Sequence, residues 1–266
     1  NTVVQVIETN LLNVQFISFS PNGEYLLVLD YEFEIYKTDT WERVYSDDIS
    51  STDGSYYPAQ DISWSGDGER LVIATGYEGG KMYEGPDWQE VTGTTSNGYY
   101  VTHHPLEDTL WYLSTDGTVA KFELQNVPFV GESWVQVQTY TTDNSEYGRM
   151  SISPSGNLIL VNVGWYGNRV YTSSSFELEF TAYGTSPVFS SSGSHLLYQT
   201  YNSGYEIYST DVWSRTSQID EETSSSYYTA LSFSSDNDEI ISLVDGGRYG
   251  EIAFMAMKPD SDYDGV

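Results

Sequence analysis

The sequence predicts an all-β fold, a six-bladed β-propeller of four-stranded antiparallel blades in which an N-terminal strand completes the last blade. Three observations carry that expectation. One phrase recurs six times along the 266 residues, its spacing is that of a propeller blade, and its segments have strand length and no 3.6-residue periodicity.

The copies read FISFSPNGEYLLVLD from Phe16, DISWSGDGERLVIAT from Asp61, YVTHHPLEDTLWYLS from Tyr100, RMSISPSGNLILVNV from Arg149, SPVFSSSGSHLLYQT from Ser186 and ALSFSSDNDEIISLV from Ala230. With Ser20 as anchor, the equivalents are Ser65, His104, Ser153, Ser190 and Ser234, at intervals of 45, 39, 49, 37 and 44 residues. In each copy the segment before the anchor forms strand a. A polar Ser-Pro-Asn-Gly type turn then closes a hairpin with an apolar strand b. Strand c carries an aromatic: FEIYK, GKMYE, VAKFE, NRVYT, YEIYS and EIAFM. Five residues later a second aromatic recurs at Trp41, Trp88, Phe176 and Trp213, and is expected to open strand d. The third copy instead has a longer insert, Gln125 to Ser133, before WVQVQTY. The sixth stops near Met257 without a strand d, and Val3 to Glu8 is an orphan strand at the other end of the chain. Pairing the two would leave no open sheet edge. The propeller domain is thus expected to span residues 1–258, with a tail over residues 259–266.

The phrase FSPNGEYLLV followed by FEIYKTDTW resembles the WD40-type propeller family, and the resemblance covers nearly the whole chain. It implies a propeller that works as a protein-interaction scaffold. The blades depart from the family in lacking its Gly-His and Trp-Asp pairs, with Tyr36, Tyr83, Tyr171 and Tyr208 at the place of the strand-c tryptophan.

Charge narrows the setting. Against 39 Asp and Glu there are only 4 Lys and 6 Arg, a formal net charge of -29. Self-repulsion on that scale opposes compaction in dilute buffer, whereas molar salt cuts the screening length to roughly 3 Å. Acid excess with few lysines therefore suits a protein adapted to brine. It also makes nucleic acid and anionic membranes poor partners. No apolar run approaches the roughly 20 residues that span a bilayer, so membrane insertion is not expected. Without cysteine, thiol and disulfide chemistry are excluded.

Catalytic signals are sparse. His103 and His104 end one strand a, His195 falls in the a–b turn of a non-neighbouring blade, and no phosphate loop, nucleophile elbow or HExxH motif occurs. No catalytic residue and no required cofactor are therefore assigned. Aromatics are more informative. The d–a connections carry Tyr56, Tyr57, Tyr99, Tyr100, Tyr147, Tyr183, Tyr227 and Tyr228, and the b–c connections carry Tyr31, Tyr77, Trp165, Tyr166, Tyr201 and Tyr249. Both sets belong to one propeller face, beside Arg149, Arg169 and Arg248. Aromatic platforms among Ser, Gly and Asn with a few arginines have the composition of recognition surfaces. The ligand-binding set is accordingly Tyr77, Trp165, Tyr166, Arg169, Tyr201, Arg248 and Tyr249.

The tail Asp260-Ser-Asp262-Tyr-Asp264-Gly265-Val266 places oxygen ligands on alternate residues before a glycine, as a Ca²⁺ loop does. It resembles the opening of an EF-hand-like or thrombospondin-type-3-like loop. Asp260, Asp262 and Asp264 are its metal candidates. Its closing acidic ligand would lie beyond Val266, so on this reading the chain is expected to be one domain of a larger protein or assembly. Together these readings describe a non-catalytic module on a halophile's cell surface, outside the cell or on a virion, binding a protein or a glycan. The alternatives are an intracellular WD40-like scaffold and a carboxylate-dependent glycan hydrolase or lyase.

Overall fold

The computed structural model describes residues 6–9, 11, 14–49, 59–76, 79–91, 98–128, 130–142, 148–162, 167–200, 204–220, 230–233, 239–244 and 251–256. Every element among them is a β-strand. The chain divides into two compact units, Asn1–Ser145 and Glu146–Val266.

The first unit holds three antiparallel sheets. Sheet 1 is β1 (Phe16–Phe19), β2 (Tyr25–Leu29), β3 (Glu32–Lys37) and β4 (Arg43–Asp48). Sheet 2 is β5 (Asp61–Trp64), β6 (Arg70–Ala74), β7 (Gly80–Glu84) and β8 (Gln89–Val91). Sheet 3 is β9 (Tyr100–His103), β10 (Thr109–Leu113), β11 (Thr118–Val127) and β12 (Gly131–Thr141). In the second unit, sheet 4 is β13 (Met150–Ile152), β14 (Leu158–Asn162), β15 (Asn168–Thr172) and β16 (Leu178–Ala182). Sheet 5 is β17 (Gly184–Phe189), β18 (His195–Thr200), β19 (Gly204–Ser209) and β20 (Arg215–Asp220). Sheet 6 is β21 (Ala230–Phe233), β22 (Glu239–Val244) and β23 (Glu251–Ala256). Each sheet is a meander in chain order, so the a–b and c–d turns lie at one end of it and the b–c and d–a connections at the other.

Five sheets have the expected four strands and sheet 6 has three, with no fourth strand among the described residues. The expected closing strand is corrected for its described part. Val6 to Glu8 form no strand, and Ile7 and Leu11 pack against Leu26, Val28 and Tyr36 of sheet 1. The reason is the composition of β2. All five of its residues are buried, so both of its faces need cover. Leu27 and Leu29 face sheet 2, and the N-terminal segment covers the opposite face.

The same logic explains the apolar run of β6. Leu71 and Ile73 join the core shared with sheet 1, while Val72 and Ala74 join the core shared with sheet 3. In the second unit Leu160, Val170 and Leu196 pack between sheets 4 and 5, and Leu197, Tyr205, Ile207 and Phe233 between sheets 5 and 6.

The a–b turns repeat atom for atom. The Ser20 backbone N–H donates to the Tyr25 carbonyl at 2.9 Å and the Tyr25 N–H returns a bond to Ser20 Oγ at 2.9 Å. Ser65 with Arg70, Ser153 with Leu158 and Ser190 with His195 do the same. Three residues after each serine a glycine takes a φ of +73° to +78°, the left-handed region that this turn requires. In sheet 3 His104 replaces the serine, and its Nδ1 accepts from the Leu106 N–H at 3.2 Å.

The second aromatic is also corrected in place. Trp41, Trp88, Phe176 and Trp213 lie in the c–d turns before strand d, with φ of 59°, 52°, 56° and 51°. A bulky side chain there costs roughly 1–2 kcal/mol. Ring packing offsets it: Phe176 stacks on Tyr171 at 4.2 Å, Trp213 on Phe180 at 4.6 Å, and Trp88 meets Tyr25 and Trp64 edge-on.

Candidate functional site

Of the residues assigned to ligand binding, only Arg169 lies within the described structure. It is the second residue of β15, half-buried, in register between Val161 of β14 and Thr181 of β16. Tyr77, Trp165, Tyr166, Tyr201, Arg248 and Tyr249 lie outside the described residues, as do Asp260, Asp262 and Asp264 of the calcium loop.

The b–c end of the sheets is nonetheless well defined at several points. Tyr31, between β2 and β3, is 39% exposed, and Tyr183, between β16 and β17, is 67% exposed. Beside Tyr183 the chain is drawn tight: Gly167 has a φ of +103°, and the buried Asn168 Nδ2 donates to the Gly184 carbonyl at 3.1 Å. Tyr99 behaves differently. Gly76 and Gly98 form an isolated bridge, and the Tyr99 ring lies close over Gly76, filling the space a side chain would need. Tyr31 and Tyr183 are therefore exposed at this end of their sheets, and Tyr99 is packing.

Two carboxylate clusters escaped the sequence reading. In sheet 1 the Glu34 side chain is 3% exposed; its Oε2 accepts from Thr9 Oγ1 at 2.5 Å and from Tyr36 Oη at 2.6 Å, and its Oε1 pairs with Arg43. In sheet 5 Glu206 accepts from Tyr198 Oη at 2.5 Å and from Tyr208 Oη at 3.4 Å, and pairs with Arg215 at 2.8 Å. Burial pushes each carboxyl up. The hydrogen bonds and the arginine charge outweigh it and hold both below the usual carboxylate value. Burial, with the same carboxylate, pushes the Tyr36 hydroxyl up to about 12. The signal was present in FEIYKTDTWER and YEIYSTDVWSR, where Glu precedes the strand-c Tyr by two residues and Arg follows it by seven. Satisfied clusters of this kind hold strands c and d together. With three donors on each carboxylate and its proton affinity lowered, they are poor general acids or bases near neutral pH.

The histidines do not form a site. His103 is buried, edge-on to Trp134 at 6.1 Å, with neither ring nitrogen hydrogen-bonded, and burial lowers it to about 3. His104 is the turn anchor, and His195 opens β18 instead of lying in the turn before it. Among the described residues no three His, Asp or Glu side chains are placed to hold a metal, and no helix is long and apolar enough to cross a membrane.

No family model matches this chain, and no curated protein matches it. Solved structures do. A chain in a structure titled "Crystal Structure of Mitotic Checkpoint Complex", a WD40 propeller, is similar with a TM-score of 0.69 at 14% identity, over 98% of this chain and 86% of that one. The likeness shows an all-β, propeller-like fold.

Proposed function

We propose that the chain is a protein-recognition module that works by binding and not by catalysis, through the end of its sheets that carries the b–c and d–a connections. The observation behind this reading is the contrast between the two ends. In sheets 1, 2, 4 and 5 one end carries near-identical serine-anchored a–b turns, while the other end holds connections of differing length, with Tyr31 and Tyr183 exposed there. A rigid scaffold that presents variable loops is a common architecture for recognition. The similar chain belongs to a multi-protein complex, which supports protein partners for this fold.

Tyr77, Trp165, Tyr166, Tyr201, Arg248 and Tyr249 fall by chain position in the b–c connections, and we assign them, with Arg169, to ligand binding. The charge of -29 supports display by a halophile, where brine screens the repulsion. Asp260, Asp262 and Asp264 are proposed as ligands of a Ca²⁺ loop, which suits an extracellular setting.

Cross-linking mass spectrometry of the chain with its source lysate in molar KCl tests the reading. Cross-links are expected at the b–c and d–a connections. Tyr31→Ala with Tyr183→Ala should then weaken the captured complex about tenfold while stability moves by less than about 0.5 kcal/mol. Cross-links confined to the a–b turns, or full binding by the double variant, would overturn it.

A further inference from the structure

Among the four-stranded sheets one outer edge differs from the others. The outer strands β4, β8, β16 and β20 have three to six residues, and each carries a charge: Arg43, Asp47 and Asp48 in β4, Glu90 in β8, Glu179 in β16, and Arg215 and Asp220 in β20. Short, charged outer strands with bulges keep sheets from pairing with one another. β12 has eleven residues, GESWVQVQTYT, and a single charge, Glu132. Its bulge lies opposite the step from Lys121 to Phe122, in the place equivalent to the bulges of sheets 1, 4 and 5. The other bulged outer strands begin beside the bulge, whereas β12 extends five residues before Gln136.

That extension is a two-stranded arm. β10 pairs with β11 only as far as Glu123, while β11 and β12 continue together from Leu124↔Trp134 to Val127↔Gly131. Trp134 is buried in the core of sheets 2 and 3, with Leu124 packed against the same cluster. The root is therefore fixed. The tip is not covered among the described residues, with Val130 72% exposed. From Leu124 to Gly131 the sequence LQNVPFVG carries no charge.

We propose that this arm is a homotypic docking edge, in which Glu132–Gln136 of one copy pairs antiparallel with the same segment of a second copy. The charge pattern selects the occupant. Two copies at -29 each repel over nearly all of their surface, whereas along Glu132–Gln136 the one carboxylate is Glu132, and Glu123 beside Val135 is paired with Lys121 at 3.0 Å. A register centred on Trp134 sets Glu132 against Gln136 of the second copy, so even the one acidic pair is separated. Pairing of identical edges about a twofold axis closes on itself and yields a dimer instead of a fibre. The strand-to-strand hydrogen bonds are those by which extended segments add to open edges.

The absence of cysteine makes the test direct. In molar KCl, light scattering of the full chain over a hundredfold concentration range should resolve twice the monomer mass. Ser133→Cys should give a covalent dimer with a short bismaleimide, and Ser46→Cys on β4 should not. Ser133→Lys with Val135→Lys, placing like charges along the edge, should weaken the dimer at least about tenfold without changing the melt. A monomer at every concentration, or equal cross-linking from β4 and β12, overturns the proposal.

Discussion

Sheets 1 and 5 bury the same cluster around different third donors. Glu34 with Tyr36 and Arg43 is matched by Glu206 with Tyr208 and Arg215, each set spaced alike along strands c and d. In sheet 5 the remaining donor is Tyr198, from the adjacent strand β18. In sheet 1 the place opposite Glu34 is Val28, which offers no donor, and Thr9 arrives from outside the sheet. The difference teaches that the c–d pair sets the carboxylate and its arginine, while the donor that completes the shell is recruited from whatever covers that face.

Removing the carboxylate should separate the clusters most. Deleting Glu34, at 3% side-chain exposure, leaves the Thr9 and Tyr36 hydroxyls without their acceptor while the 44% exposed Arg43 returns to water, so Glu34→Ala should cost about 2–3 kcal/mol. Glu206, at 17%, should cost less, about 1–2 kcal/mol, because water can replace part of its shell. Urea unfolding in molar KCl measures both, and equal losses would mean that burial does not distinguish the sheets.

Acid titration sharpens the comparison by adding a buried group whose ring nitrogens have no hydrogen-bond partner. Both glutamates have lowered values, so their stabilisation is complete above the unfolded value near 4.5 and is lost as pH falls below it. His103 is also lowered, to about 3 from 6.5, so the unfolded chain takes up its proton first and stability falls from pH 6.5 downward. By pH 5 that loss is about 2 kcal/mol, at a pH where the carboxylates are still ionised. His103→Phe should flatten the slope between pH 6.5 and 5 and leave the lower one. An unchanged upper slope would exclude His103 as its source.

The third donors should give the smallest effects. Thr9→Val and Tyr198→Phe each remove one hydrogen bond and leave the carboxylate two other partners, so each should cost roughly 0.5–1.5 kcal/mol. Thr9→Val should also loosen the N-terminal segment, read as faster amide exchange at Ile7 and Leu11, whereas Tyr198→Phe should leave exchange in that segment untouched.

Much of the strand order was legible because the turns repeat. The six strand-c phrases coincide with β3, β7, β11, β15, β19 and β23 to within a few residues. The covering of sheet 1 was harder to read, since Val3 to Glu8 alternates like a strand and nothing local reports that Ile7 will be needed over Leu26 and Val28. The left-handed aromatics were unreadable from propensity, which assigns such positions to glycine or asparagine; ring stacking on Tyr171 and Phe180 overrides it. The glutamate clusters were readable and missed, because in so acidic a chain a single Glu carries little weight until its Tyr and Arg are seen to recur with it. The ligand surface rests on connections that follow no repeat, and composition alone marks them.

The a–b turns also bear on how such a chain has diverged. From anchor to strand b the step is five residues in sheets 1 to 5, including sheet 3, where histidine stands in for serine. The interval between anchors nevertheless ranges from 37 to 49 residues. In the first unit the turns are locked against one another: a methyl group on Gly66 would sit 1.9 Å from the Pro105 carbonyl oxygen, and one on Gly68 would meet the Asn22 side chain at 2.6 Å. Insertions and deletions are therefore confined to the other connections, and loop exchange between relatives, natural or engineered, has the b–c and d–a connections and the β11–β12 tip as its permissive sites.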